Sequence, residues 1–222
     1  VTTTNGKLRD VLRALEALPA ELPEFDTESA PDDPVALFLM WLTDAMEEKI
    51  IGPHAMTLST ADDGGRVSSR VLICKDVDES GRWYFATDAA SMKGRELAEN
   101  PHAAASFYWP QLGRQVRIRG TAASAGSQAS AADFLAKPPA SRAASLVGRQ
   151  SEPLDDPAEL EAALRRAHAD VDADSGLIAP NWTLYALAAE TIEFWQGRHE
   201  RRHIRLQYRR TGDGWARRLL WP

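Results

Sequence analysis

Apolar residues recur first at helical spacing and later at alternating positions, and the change falls near residue 54. Leu8, Val11, Leu12, Leu15 and Leu18 repeat every three or four residues and predict a short amphipathic helix at the start. Residues 19–34 are rich in Pro, Glu and Asp and read as a linker or arm. Asp33-Pro34 is a helix start, because the carboxylate can accept free backbone N–H groups and Pro suits the first helical position. Leu37, Phe38, Trp41, Leu42, Ala45 and Met46 then predict the apolar face of a second helix.

Beyond residue 54 the runs are β-rich: 54–60, 67–75 and 83–87, parted by Asp62-Asp63-Gly64-Gly65 and Asp78-Glu79-Ser80-Gly81, which read as hairpin turns. Ser91 caps a helix to about Asn100, and Pro101 bars its continuation. Strands follow at 103–109 and 115–123. Residues 127–170 are Ala-rich and mostly helical, interrupted at Lys137-Pro138-Pro139. The closing strands are 182–187, 191–196, 202–209 and 215–220, with Thr211-Gly212-Asp213-Gly214 as the last turn. Strands joined mainly by hairpins predict a mainly β fold, an antiparallel barrel with peripheral helices packed outside. The division expected is an N-terminal helix and arm over 1–32 and a single domain over 33–222.

With 222 residues, 44% of them apolar, the chain is long enough for a sizeable core. A net charge of -6 and a pI of about 5.4 argue against a general nucleic-acid or anionic-membrane binder. Cys74, the lone cysteine, excludes an intrachain disulfide and a multi-cysteine zinc site. No apolar run is long enough to predict a membrane span, and the polar Val1-Thr2-Thr3-Thr4 start is unlike a signal peptide, so a cytoplasmic location is expected. The histidines lack metal-ligand spacing, and no Gly-x-Gly-x-x-Gly or Gly-Lys-Ser/Thr loop occurs, so neither a metal site nor a Rossmann or P-loop site is expected.

Candidate chemistry concentrates near the end. Ile192-Glu193-Phe194-Trp195-Gln196-Gly197 leads into Arg201-Arg202-His203-Ile204-Arg205. On a strand, Arg201, His203 and Arg205 would point the same way, toward an anion such as a flavin or a phosphate ester. Arg70 and Lys75 end an apolar strand; read alone this is an ordinary charged-ended strand or a pair of anion contacts. Thr87 through Arg95 spans a strand end and a helix start, which is either a plain cap or an anion site reinforced by Lys93. Gln115 lies in a polar-apolar alternation and could offer its amide to a ring edge. Cys74 reads as a small buried hydrophobe.

Taken in order, Arg70-Val71-Leu72-Ile73-Cys74-Lys75, Thr87 with Ser91-Met92-Lys93, Asn100-Pro101, Trp109 with Arg114-Gln115-Val116, Lys137-Pro138, Arg149-Gln150-Ser151 and the two closing motifs resemble the pyridoxamine 5'-phosphate oxidase family, which includes oxidases of phenazine biosynthesis. The likeness runs from about Asp33 to Pro222. It implies a split antiparallel β-barrel that binds FMN at the interface of a homodimer. It implies FMN contacts at Arg70, Val71, Thr87, Lys93, Gln115, Gln150, Ser151, Trp195 and Arg205. It implies substrate contacts at Lys75, Asp133, Lys137, Ser141, Arg201 and His203, with Arg201 and His203 catalytic over the reacting carbon. The implied reaction converts pyridoxamine or pyridoxine 5'-phosphate to pyridoxal 5'-phosphate by hydride transfer to flavin N5, with O2 reoxidising the flavin and giving hydrogen peroxide. The alternatives are oxidation of another reduced ring, such as a dihydrophenazine carboxylate, or FMN binding without catalysis. Four positions depart from the family pattern. Met92 replaces an Arg, and Arg95 is expected to compensate in part; Asp133 replaces a Tyr, Lys137 an Arg and Ile204 an Asp.

Overall fold

The computed structural model describes residues 5–212 and 214–222, so Val1–Thr4 and Asp213 of the last expected turn lie outside the described residues. The opening helix, α1 (Asn5–Ala14), stops before Leu15 and Leu18 and leaves Leu8, Val11 and Leu12 exposed. From Leu18 onward the acidic segment lies against the body. Phe25 is buried edge-on to Trp41, and the Tyr208 hydroxyl donates to the Pro31 carbonyl. Helix α2 (Pro34–Glu47) begins as expected, with the Asp33 carboxylate accepting the Val35 N–H at 3.0 Å. It buries Leu37, Phe38, Trp41 and Ala45, whereas Met46, expected on that face, is exposed. Five residues past Trp41 the helix has turned about 140° from it, away from the core.

The strands are β1 (Ala55–Ala61), β2 (Val67–Ile73), β3 (Asp76–Val77), β4 (Arg82–Asp88), β5 (His102–Trp109), β6 (Arg114–Ser124), β7 (Trp182–Gln196), β8 (Ile204–Thr211) and β9 (Gly214–Leu219). Helix α3 (Met92–Glu99) follows β4, and α4 (Ser127–Leu135), α5 (Pro139–Leu146) and α6 (Pro157–Ala173) lie between β6 and β7. One antiparallel sheet runs β2-β1-β5-β6-β7-β4-β3, with β8 and then β9 added beside β7. The ends of that path, β2 and β3, are consecutive in the chain. At the corner between them the Cys74 N–H donates to the His54 carbonyl at 2.9 Å and the Lys75 N–H to the Tyr84 carbonyl at 2.8 Å. The sheet therefore curls back on itself as a split barrel. The strand expected over 67–75 stops at Ile73, and a separate two-residue strand, β3, begins at Asp76, because the chain changes partner from β1 to β4 at this corner.

A second correction concerns β7, which is one strand of 15 residues and not the two expected. Arg119 pairs with Thr191 but Gly120 with Ala189, so Glu190 is an extra residue in a β-bulge. The bulge flips the alternation: Tyr185, Leu187 and Ala189 are buried before it, Ile192 and Phe194 after it. Gly120 makes the close approach possible, since a Cβ there would lie 1.9 Å from the Ala188 carbonyl oxygen.

The core fills the inside of the curled sheet. Met56, Leu58, Phe85, Phe107, Val116, Ile118, Leu187, Ile192 and Phe194 point inward, and α2 closes one end, with Phe38 against Trp83, Phe107 and Trp109. The outer face of β6, β7 and β8 is polar and carries Gln115, Trp195 and Arg205 side by side.

Candidate active site

The first cluster forms where β4 gives way to α3. Asp88 turns the chain by accepting the Ala90 N–H at 2.7 Å, and the Ser91 hydroxyl caps the helix at the Gly94 N–H, 3.3 Å away. Position 94 must be Gly, because a Cβ would meet the Ala89 carbonyl oxygen at 2.3 Å. The Lys93 side chain thus turns inward. It is 6% exposed, with its ammonium 3.2 Å from Thr87 Oγ1, 3.3 Å from Ser91 Oγ and 3.1 Å from Gln150 Oε1. Burial, and next the positive charge of Arg70, lowers its pKa below the ordinary value. Ser151 adopts φ 77°, a left-handed conformation uncommon outside Gly, and its hydroxyl accepts the Met92 N–H at 3.2 Å. Thr87, Lys93, Gln150 and Ser151, from three separate segments, are therefore together. A buried ammonium, hydroxyls and a helix start make a donor set suited to a phosphate.

Arg70 stands beside this cluster on β2 and is held from behind. Its guanidinium donates to Thr60 Oγ1 at 2.5 Å, to the Ser68 hydroxyl and to the Glu96 carboxylate at 3.3 Å. Glu96 sits one turn after Lys93 on α3 and also accepts from Thr60 and Ser68. Burial would raise its carboxyl, but those hydrogen bonds and the Arg70 charge outweigh burial and hold it below its ordinary pKa. Arg95, expected to compensate for Met92, instead donates to the Ala90 carbonyl.

The second feature is a cavity of about 840 Å³ whose walls include Val71, Lys75, Thr87, Lys137, Ser141 and Gln150. Behind its wall Asp133 pairs with Lys75 at 2.7 Å and accepts the Trp182 indole N–H at 2.8 Å. Asp133 thus engages Lys75 directly. The Lys137 ammonium lies 3.5 Å from the centre of the Trp182 ring. Burial, then the charge of Lys75, lowers Lys137 to about 8 against the opposing pull of Asp133. Cys74 behaves as the sequence suggests: burial pushes its thiol up to about 12.

The third feature lies on the outer sheet face. Gln115 pairs with Trp195, and Trp195 with Arg205, so the register sets the three side by side across β6, β7 and β8. Arg205 is bound bidentately by Glu193, at 2.9 and 3.2 Å. Arg201 and His203 correct the sequence reading. Strand β8 starts at Ile204, and Arg201 has φ 56° in a tight turn closed by its N–H on the Arg198 carbonyl at 3.1 Å. Arg201, His203 and Arg205 therefore do not alternate along one strand. His203 packs on Trp195 with ring centres 4.9 Å apart, and its Nδ1 accepts the Arg198 N–H at 3.1 Å, which puts the proton of the neutral ring on Nε2. Arg201, His203, Trp195, Tyr108 and Leu18 line a cavity of about 550 Å³, which shares no residue with the one at Lys75.

Sequence reasoning missed Glu96, Glu193 and Trp182. The signal for the first two was spacing: Glu96 is three residues after Lys93 on a helix, and Glu193 two before Trp195 on a strand. Among the described residues no group of His, Cys, Asp or Glu is placed to hold a metal ion, and no helix is long and apolar enough to cross a membrane.

Two family models match the chain: pyridoxamine 5'-phosphate oxidase over residues 42–170, and the pyridoxine 5'-phosphate oxidase C-terminal dimerisation region over 182–222. A pyridoxine/pyridoxamine 5'-phosphate oxidase of Thermosynechococcus vestitus is 43% identical over 87% of this chain and 90% of its own length. One of Herminiimonas arsenicoxydans is 40% identical over 91% and 94%. Among solved structures, PhzG of Burkholderia lata, in complex with tetrahydrophenazine-1-carboxylic acid, superposes with a TM-score of 0.82 at 30% identity, covering 93% of this chain and all of that one. The chain belongs to the pyridoxamine 5'-phosphate oxidase family and is, as a member, an oxidoreductase.

Proposed function

We propose that the chain is an FMN-dependent oxidase that converts pyridoxine or pyridoxamine 5'-phosphate to pyridoxal 5'-phosphate, working as a homodimer. The observation that carries the cofactor is the buried Lys93 ammonium at the start of α3, with Thr87, Gln150 and Ser151 around it and Arg70 alongside. A terminal phosphate suits that set, and no dinucleotide fingerprint accompanies it. FMN, when bound, supplies the hydride acceptor and passes the electrons on to O2, which leaves as hydrogen peroxide.

The chain's own residues bind and orient. Arg70, Lys93 and the α3 start hold the phosphate. Gln115, Trp195 and Arg205 offer an amide, an aromatic face and a guanidinium edge to the ring, and Val71 packs beside it. Lys75, Lys137 and Ser141 take the substrate phosphate. Arg201 and His203 lie over the reacting carbon, His203 with its proton on Nε2 and its ring fixed by Trp195 and Arg198. The pyridoxine/pyridoxamine 5'-phosphate oxidase names of relatives about 40% identical support this substrate. A second reading, a reduced ring carrying a carboxylate, is favoured by one observation: Asp133 cancels the charge of Lys75.

Mass spectrometry of the flavin released from the purified protein should give FMN; FAD alone would sink the cofactor assignment. Anaerobic mixing with pyridoxine 5'-phosphate, pyridoxamine 5'-phosphate or a dihydrophenazine carboxylate should bleach the flavin with the B6 phosphates. Bleaching by the tricyclic ring alone would transfer the assignment to the second reading, and bleaching by none would leave an FMN binder.

A further inference from the structure

Glu193 is a buried carboxylate on the outer sheet face, next to the row formed by Gln115, Trp195 and Arg205. Its side chain is 8% exposed and bridges two arginines. Arg205 Nε and Nη2 reach it at 2.9 and 3.2 Å, and Arg117 Nη2 at 2.6 Å. Arg205 Nη1 donates to the Trp221 carbonyl at 2.9 Å, and the Leu220 N–H returns to the Arg205 carbonyl at 2.9 Å. Three of the five guanidinium N–H groups of Arg205 are thereby committed, and the arginine cannot swing freely. The strand register explains the arrangement. Glu193 faces Arg117 on β6 and Gln207 on β8, one step along from Trp195 between Gln115 and Arg205. Burial alone would raise the Glu193 carboxyl, but the hydrogen bonds and charges of Arg205 and Arg117 keep it low and ionised.

We propose that Glu193 is a positioning residue for the flavin, fixing the Arg205 fork against the ring and setting the net charge beside it. This rests on the proposed FMN site. Two arginines and one carboxylate leave a single positive charge in the triad. Without Glu193 the same place would carry two, and Arg205 would lose its bidentate anchor. The two consequences are separable. Loss of the anchor weakens flavin binding, because the orientation is no longer held before the ligand arrives. The extra positive charge favours the electron-rich reduced flavin over the oxidised one. A residue that only stabilised the sheet would change neither the potential nor its sign.

The experiment strips FMN from the full-length protein and titrates it back, then measures the midpoint potential of the reloaded flavin. Glu193→Gln should raise the FMN dissociation constant about tenfold or more and move the potential to less negative values. Glu193→Asp keeps the charge but is one methylene short of spanning both arginines; it should weaken FMN binding and leave the potential in place. Arg117→Met removes one cation and leaves the Arg205 anchor; it should keep FMN affinity within about threefold and shift the potential the opposite way. FMN affinity and potential unchanged in Glu193→Gln would overturn the proposal. If that variant does not fold, wild-type affinity in Glu193→Asp overturns it instead. A parent protein that binds no FMN would overturn the cofactor assignment, an outcome distinct from both.

Discussion

Asp133 sets the charge beside the cavity at Lys75, the proposed substrate pocket. It meets Lys75 at 2.7 Å and holds the Trp182 indole, so of the two lysines at this wall only Lys137 has no carboxylate at contact distance among the described residues. A phosphate dianion arriving there faces about one net positive charge. At about 6 Å and an effective dielectric constant of about 20, each unit charge pair is worth roughly 3 kcal/mol. Asp133→Asn keeps an oxygen for Trp182 and frees Lys75. It should lower KM for pyridoxine 5'-phosphate about tenfold and leave kcat nearly unchanged, since a remote anchoring group is held alike in ground and transition states. An unchanged KM would mean that the phosphate does not approach this wall. Lys137 adds a pH dependence of its own. With its pKa lowered to about 8, it is mostly charged at neutral pH and loses that charge as pH rises through about 8. KM for a phosphorylated substrate should therefore climb above that pH, and Lys137→Arg should flatten the climb. A flat wild-type profile would remove Lys137 from the phosphate contacts. The residue types at these places were legible in the sequence, but their pairings were not. Spacing alone could flag Glu96 and Glu193, but a charged letter does not say which partner satisfies it, so the pairs Glu96–Arg70 and Glu193–Arg205 needed β2, α3, β7 and β8 in place.

At the scale of elements, the phosphate cluster depends on how closely α3 starts against the end of β4. Gly94 permits that approach, with the Ala89 carbonyl oxygen 2.3 Å from where a Cβ would stand. Gly94→Ala should push the first turn of α3 outward and carry Lys93 away from Thr87 and Gln150. Overpacking of this kind costs about 1–3 kcal/mol, so Tm should fall by several degrees and FMN affinity with it. Wild-type values of both would show that the turn has slack. The sequence predicted α3, its Ser91 cap and the break between α4 and α5, because caps and prolines act locally. It divided β7 into two strands at the residues where Glu190 bulges, since an extra residue reverses the alternation by which a strand is recognised. It also extended β8 back to residue 202, although Arg201 closes a turn there with a positive φ that side-chain alternation does not reveal.

At the scale of the whole molecule, the residues proposed to touch FMN do not share one cavity in a single chain. Thr87 and Gln150 line the space at Lys75, and Trp195 lines the space at Arg201 and His203; the two have no residue in common. The chain also leaves apolar groups bare near these places. Val67, Val71 and Ile73 project from β2 at 71%, 66% and 47% exposure, and Leu219 and Trp221 near the end of β9 at 60% and 91%. A row of branched apolar side chains on an outer strand is costly in water and is what a second copy would cover. Residues 182–222 match a family region described as serving dimerisation. The expected state is therefore a homodimer in which each flavin is held by both chains. Light scattering should give twice the 24.4 kDa chain mass. Because FMN would bind the dimer and not the separated chains, adding it should strengthen association, and dilution should release flavin and partner together. Val67→Glu places a charge in the proposed contact, outside the cavity at Lys75, and should yield a folded monomer that has lost FMN. A monomer that retains one FMN per chain at wild-type affinity would refute the shared site, and the flavin contacts would then have to be redrawn within one chain.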